Sequence, residues 1–303
     1  MSGTPNSLTL RSFNKPWLSC ADQVRLLESR GMAIADRAQA EQFFAHVNYY
    51  RLSGYCLAFE QSRHVLAPGT SFEGVRYAYE FDWSLRDLLN EALEVIEVDL
   101  RAATAHYFGG QYGAFGHADN ANFYKFFDLT KIRDETQRSS EPFVQHFRAT
   151  YLEYPDLPVW AVTEIMSFGT LSKMINCMHR RDQIALATRY GQFHSVFVSW
   201  AHHMLYIRNL CAHHARVWDR AWPIKPILPR DPAWAPPLLP QGDRLMATLL
   251  VLASMLKGCP TATSFRHLWI SRIENLLAKP PGCIDPLFRM GLTGKWFEHP
   301  AWR

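Results

Sequence analysis

Fifteen residues, "YIRNLCAHHARVWDR" from Tyr206 to Arg220, gather side chains that could do chemistry. An arginine and an asparagine stand side by side, followed by a cysteine, two adjacent histidines and two more arginines. Three chemistries suit such a set: a metal centre, proton transfer by imidazole, or electrostatic capture of an anion. The metal centre fits worst. On a helix His202 and His213 would lie about 16 Å apart along the axis, too far to share one ion. The i±4 neighbours of His213 are Asn209 and Val217, neither of them a carboxylate, so the helical two-histidine signature is missing. No metal ligand is assigned.

The spacing predicts a helix from about Phe193 to Trp218. At 100° per residue, Phe193, Val196, Phe197, Trp200, Met204, Ile207, Cys211, His214 and Trp218 fall within about 60° of Trp200. That apolar seam must face the core. His202, Tyr206, Asn209, His213, Arg216 and Arg220 occupy the opposite side, a basic, hydrogen-bonding face. His214 is therefore expected in the core and His213 at the surface. Imidazole both takes and gives protons near neutral pH, and guanidinium holds the charge that builds on a phosphate. Together they suit phosphodiester chemistry on RNA, where the 2′-hydroxyl is an internal nucleophile. His213 would move the proton, and Asn209 would orient it or the phosphate.

The elements that must position this helix are also helical. Ser19 and Asp22 stand at capping-box spacing, as do Asp36 and Gln39, and the second helix is expected to continue to Ser53-Gly54. A long helix follows, with Leu85, Leu89, Ala92, Ile96, Leu100, Ala103 and Tyr107 at helical spacing and Gly109-Gly110 expected to end it. Shorter helices are expected at about 141–152, 158–167, 170–178 and 181–190, then at about 242–257 and 263–278. Residues 223–240 carry seven prolines, which exclude a helix or a central strand. Trp222 and Trp234 within that stretch point to packing on the surface. The fold class is all-α: an N-terminal helical extension over 1–68, a helical core over 69–222, a proline-rich surface segment over 223–240, and C-terminal helices with an aromatic tail over 241–303.

A chain of 303 residues with 48% hydrophobic content can bury a sizeable core. It shows no run of 18 apolar residues and no secretory signal layout, so no membrane partner is expected. Six scattered cysteines without a CxxC pair argue for reduced thiols and a cytoplasmic location. The net charge of +4 is small, but it is segregated. Residues 79–100 hold seven acids against Arg86 alone, whereas residues 171–220 hold seven bases against Asp182 and Asp219. A basic working surface on a nearly neutral molecule follows.

"RNLCAH", Arg208 to His213, matches the R-N-x3-H form of the HEPN ribonuclease motif. "NYYRLSGY" (48–55), "FDWSLR" (81–86), "IEVDLR" (96–101), "PVWAVTEIMSFGTLS" (158–172) and "MGLTGKW" (290–296) stand in the order and spacing of the Abi family. From roughly Lys15 to Trp302 the chain thus resembles abortive-infection proteins of the AbiD/AbiF type, bacterial anti-phage factors. The resemblance implies a HEPN-like helical bundle acting as a metal-independent endoribonuclease toxin, without a cofactor, that leaves a 2′,3′-cyclic phosphate. It also implies a homodimer in which two copies of the motif complete one composite site. By motif match Arg208, Asn209 and His213 take the catalytic positions, with Glu164 and Tyr206 in support. His202, Arg216, Arg220 and Arg51 would contact the RNA, whether single-stranded, tRNA or a structured non-coding RNA. The alternative is a non-catalytic HEPN-like protein that acts through an RNA it holds. Arg208 lies about 140° from His213 on the wheel. Its side chain could wrap round the helix, the partner's motif could complete the site, or Arg208 could pair with the acidic helix of residues 79–100.

Overall fold

The computed structural model describes residues 12–303. The fold is all-α, 64% helical, with thirteen helices among the described residues and one two-stranded sheet. The chain divides into two compact units, Met1–Tyr79 and Glu80–Arg303.

The first unit holds α1 (Cys20–Ser29), α2 (Arg37–His46), α3 (Tyr49–Cys56), an antiparallel hairpin of β1 (Glu60–Ser62) and β2 (Val65–Leu66), and the first turns of α4 (Phe72–Tyr112). Both predicted caps form: Ser19 Oγ accepts the Asp22 N–H at 3.1 Å, and Asp36 Oδ1 accepts that of Gln39 at 3.0 Å. The second helix does not continue to Ser53-Gly54. It stops at His46, and Asn48 Oδ1 starts α3 by accepting the Tyr50 N–H at 2.8 Å. A short amide side chain that competes for backbone donors makes that break. Phe43, Phe44 and Phe72 form the aromatic core, with ring centroids 5.6 to 6.1 Å apart.

The second unit continues with α5 (Thr130–Arg138), α6 (Pro142–Thr150), α7 (Val159–Ile165), α8 (Phe168–Cys177) and α9 (Arg180–Arg189). It closes with α10 (His194–Ala212), α11 (Leu245–Lys257), α12 (Thr263–Leu277) and α13 (Pro286–Met290). α11 is the core helix, buried at every residue from Leu245 to Ala253; a helix apolar all round can only sit inside. α4 buries Leu85, Leu89, Ala92, Ile96 and Leu100, as their spacing predicts, and α12 docks on it through Trp269 Nε1, which donates to the Leu88 carbonyl at 2.7 Å. α4 also runs through Gly109-Gly110 to Tyr112. Gly109 lies so close to α7 that an added Cβ would stand 3.2 Å from Val159 Cγ1, so this glycine serves close packing rather than termination.

Several acids of α4 are tied into the fold while Glu80, Asp87 and Glu94 stay exposed. Asp82 is fully buried, pairs with Arg86, and accepts the backbone N–H groups of Val217 at 2.9 Å and Trp218 at 2.8 Å. Asp99 accepts from Arg189 Nε at 3.1 Å and from the Tyr190 hydroxyl at 2.6 Å. Glu97 pairs with Arg101, which also donates to the carbonyls of Thr163 and Met166 and so holds the end of α7. The proline-rich segment packs on α10: Ile227 donates to Ser199 Oγ and accepts from Trp200 Nε1, each at 2.9 Å. Trp222 and Trp234 are buried there. Among the described residues no single helix is long and apolar enough to cross a membrane.

Candidate functional site

The helix that carries the opening stretch ends at Ala212 instead of continuing to Trp218. His213 is its cap, with its N–H on the Asn209 carbonyl at 3.0 Å. The N–H of His214 then reaches the Cys211 carbonyl at 2.9 Å, and that of Ala215 the Leu210 carbonyl at 2.8 Å. This pair of bonds is the Schellman termination, and His214 occupies its left-handed position at φ 53°. Glycine is the usual occupant; an L-residue there costs about 1 kcal/mol. A stop signal read from sequence is a glycine or proline, and neither stands here.

The early ending changes the assignment of the two histidines. His214, expected in the core on the seam, is exposed, because the seam no longer exists at its position. Trp218 is buried by another route: the chain folds back so that Val217 and Trp218 present their N–H groups to Asp82. The Trp218 ring there meets Phe81 edge-on, at 6.4 Å. The seam also fails at its other end, where Phe193 is the N-cap and lies exposed. Its middle holds, with Phe197, Trp200, Met204, Ile207 and Cys211 buried. Burial pushes the Cys211 thiol up to about 12, so it stays protonated and is a poor nucleophile or metal ligand. Among the described residues no group of three or more His, Cys, Asp or Glu side chains could hold a metal ion.

Arg208, Asn209 and His213 are all exposed at the C-terminal end of α10. Arg208 forms no ion pair among the described residues. It lines a cavity of about 330 Å³ with Asn90, Leu93, Glu94, Glu97, Val98 and Arg101; Asn209 and His213 do not. The acidic helix is thus beside Arg208, but the carboxylate of Glu97 is already taken by Arg101.

The remaining candidates are dispersed. His202 is exposed on α10, whereas Arg216 and Arg220 are half-buried beyond the turn. Tyr206 is not on an open face: its hydroxyl is enclosed and its ring meets Trp222 edge-on at 6.1 Å, under the proline-rich segment. Glu164 is exposed on α7, and Arg51 is exposed on α3 in the first unit. The sequence reading passed over His203. This residue is fully buried, with Nδ1 donating to the Ile224 carbonyl at 2.7 Å and Nε2 accepting from Thr248 Oγ1 at 3.0 Å. Burial pushes its pKa down to about 4, which keeps it neutral.

The sequence profile of Abi-like proteins matches residues 42–219, more than half of the chain. The match takes in Arg208 to His213, the Asp82–Arg86 pair and the Glu97–Arg101 pair. Neither the curated proteins nor the solved structures contain a match to this chain. The motif, the buried acids that hold its surroundings and the profile fall in one continuous region; the chain belongs to the family of Abi-like proteins, whose role is in abortive infection, the defence of bacteria against phage.

Proposed function

We propose that the chain is a metal-independent endoribonuclease of the HEPN type. The observation that carries the reading is the joint exposure of Arg208, Asn209 and His213 at one helix end, when the rest of that helix is largely buried or covered. His213 accepts the proton of an RNA 2′-hydroxyl as its oxygen attacks the adjacent phosphorus. The P–O2′ bond forms, the P–O5′ bond breaks, and the 5′-oxygen leaves with a proton returned by an imidazole. Arg208 stabilises the charge gathered on the phosphate, and Asn209 orients the imidazole or the phosphate. A 2′,3′-cyclic phosphate and a 5′-hydroxyl are the products.

Arg208 faces the cavity along α4 and His213 does not line it. A second copy of the chain that brings its own motif to the same phosphate would complete the site as a homodimer. The same separation supports a second reading, in which the chain holds an RNA without cutting it. Incubation of the purified protein with single-stranded RNA or tRNA in EDTA separates the two. Cleavage with cyclic phosphate ends, abolished by His213→Ala in a folded chain, is the expected result. Cleavage that persists in His213→Ala would overturn the assignment, and tight RNA retention without cyclic products would favour the binder.

A further inference from the structure

One large cavity shares none of those residues. It lies in the first unit, has a volume of about 910 Å³, and is walled by the segment before α1, by α1, by α3 and by the β1–β2 region. Small-molecule pockets range from roughly 300 to 1,000 Å³. Asn48, Tyr49, Tyr50, Ser53 and Gly54 of the "NYYRLSGY" block line it, so this run of aromatic and small residues does more than pack α3.

The lining has three features that belong together. Aromatic faces are open: Trp17 is 86% exposed and Tyr50 72%, and Tyr49 lies edge-on to Tyr50 with ring centroids 6.1 Å apart. Cations outnumber anions: Lys15 and Arg30 stand against Glu60, which has the His64 imidazole 3.9 Å away. Arg30 places one guanidinium nitrogen 3.0 Å from the Tyr49 hydroxyl, which fixes it at the wall with donors to spare. Finally, hydrogen-bonding amides are incompletely used. Gln23 donates Nε2 to the Leu18 carbonyl at 3.1 Å, but its buried Oε1 has no partner. Asn48 Oδ1 accepts the Tyr50 N–H, which leaves its Nδ2 able to donate. Buried polar atoms are nearly always satisfied, so an orphaned acceptor on a cavity wall is where a ligand donor belongs. The thiol in the wall, Cys56, is pushed up to about 12 by burial, so the cavity is built for binding rather than thiol chemistry.

We infer that this cavity is a binding site for a nucleoside monophosphate unit, its base stacked on Tyr50, its edge read by Gln23 and Asn48, and its phosphate held by Arg30 and Lys15. A planar base needs an aromatic face and an amide to read its edge, and a phosphate needs a guanidinium. A free nucleotide and an unpaired residue of an RNA strand carry this same unit. Its wall includes none of Arg208, Asn209 and His213, and its binding does not depend on their role.

Calorimetric titration of the full chain with AMP, adenosine, inorganic phosphate and a short oligoadenylate tests the inference. AMP should bind saturably, and Tyr50→Ala and Arg30→Gln should each weaken it about tenfold, while Tyr50→Phe restores wild-type affinity. His213→Ala should bind AMP as the wild type does, so failure of the cleavage reading and failure of this one are distinguishable. An oligomer that binds much more tightly than AMP, with the same loss in Tyr50→Ala, identifies a strand as the source; equal affinity identifies the free nucleotide. Circular dichroism confirms that each variant is folded. The inference is overturned if neither AMP nor the oligomer binds, if phosphate competes as well as AMP, or if Tyr50→Ala and Tyr50→Phe behave alike.

Discussion

His203 and His213 stand on one helix and differ in every physical respect. His203 is buried, uses both ring nitrogens within the protein and is held neutral. His213 caps the helix, is exposed, and leaves its ring to solvent or to a ligand. Residue type does not separate them, and helical spacing does so only in part: His203 lies about 60° from Trp200, at the edge of the apolar seam, and His213 about 140° away. The rest of the difference comes from what covers the helix: the chain at Trp222 and Ile224 packs on Tyr206 and His203, whereas Arg208, Asn209 and His213 stay exposed. A histidine with both nitrogens bonded is a structural member, and one at an uncovered helix end can do work.

The largest expected effect is the exchange of roles between these two residues. His213→Ala should lower RNA cleavage by roughly 10²- to 10⁴-fold with the melting temperature unchanged. His203→Ala should cost about 2–4 kcal/mol of stability, because it orphans the Ile224 carbonyl and Thr248 hydroxyl, while cleavage per folded molecule persists. A stable, inactive His203→Ala would break the comparison.

Asp82→Asn comes next. It removes a carboxylate that neutralises buried Arg86 and accepts two N–H groups. Breaking a buried pair on one side costs about 3–5 kcal/mol, read as a lowered denaturant midpoint. The turn that carries His213 should loosen with it, seen as faster amide exchange at Val217 and Trp218.

Acid should act through the buried histidines. His203 and His117 are both pushed down to about 4 from the ordinary 6.5 by burial. The unfolded chain therefore binds more protons than the folded one between those values. The stability they supply is complete above pH 6.5 and is lost as pH falls through that window toward 4. Together they should remove roughly 4 kcal/mol between pH 7.5 and pH 5, and His203→Gln should about halve the fall. Unfolding titrations in guanidinium at the two pH values read this directly.

The smallest effect concerns Glu94, exposed in the cavity that Arg208 lines. Glu94→Gln removes a like charge from the path of a phosphate and should tighten RNA binding by less than about threefold, an effect that salt erases. A loss of affinity instead would mean that Glu94 holds Arg208 in place.

Much of the fold was legible. Apolar periodicity located most of the long helices, and the caps at Ser19 and Asp36 follow directly from short polar side chains. The same periodicity failed where a residue took an unusual conformation or where distant chain arrived. His214 ends a helix in a position that glycine normally fills, so no stop was visible. Tyr206 is covered by Trp222, and burial from outside the helix leaves no mark on its own spacing. Asp82 and Arg86 advertised a pair by their i, i+4 separation, but not that the pair would be buried beneath the turn after the motif. The wheel places Asn209 and His213 on an exposed face, but of a helix that in fact stops at Ala212, and it leaves Arg208, which is also exposed, on the flank of the apolar seam.

The bond from Asp82 to Val217 joins residues 135 apart in sequence. Closing a loop of that size costs on the order of 4 kcal/mol of chain entropy before any contact repays it, so the turn beyond His213 takes its shape late in folding. A chain still emerging from the ribosome carries the motif before it carries the site.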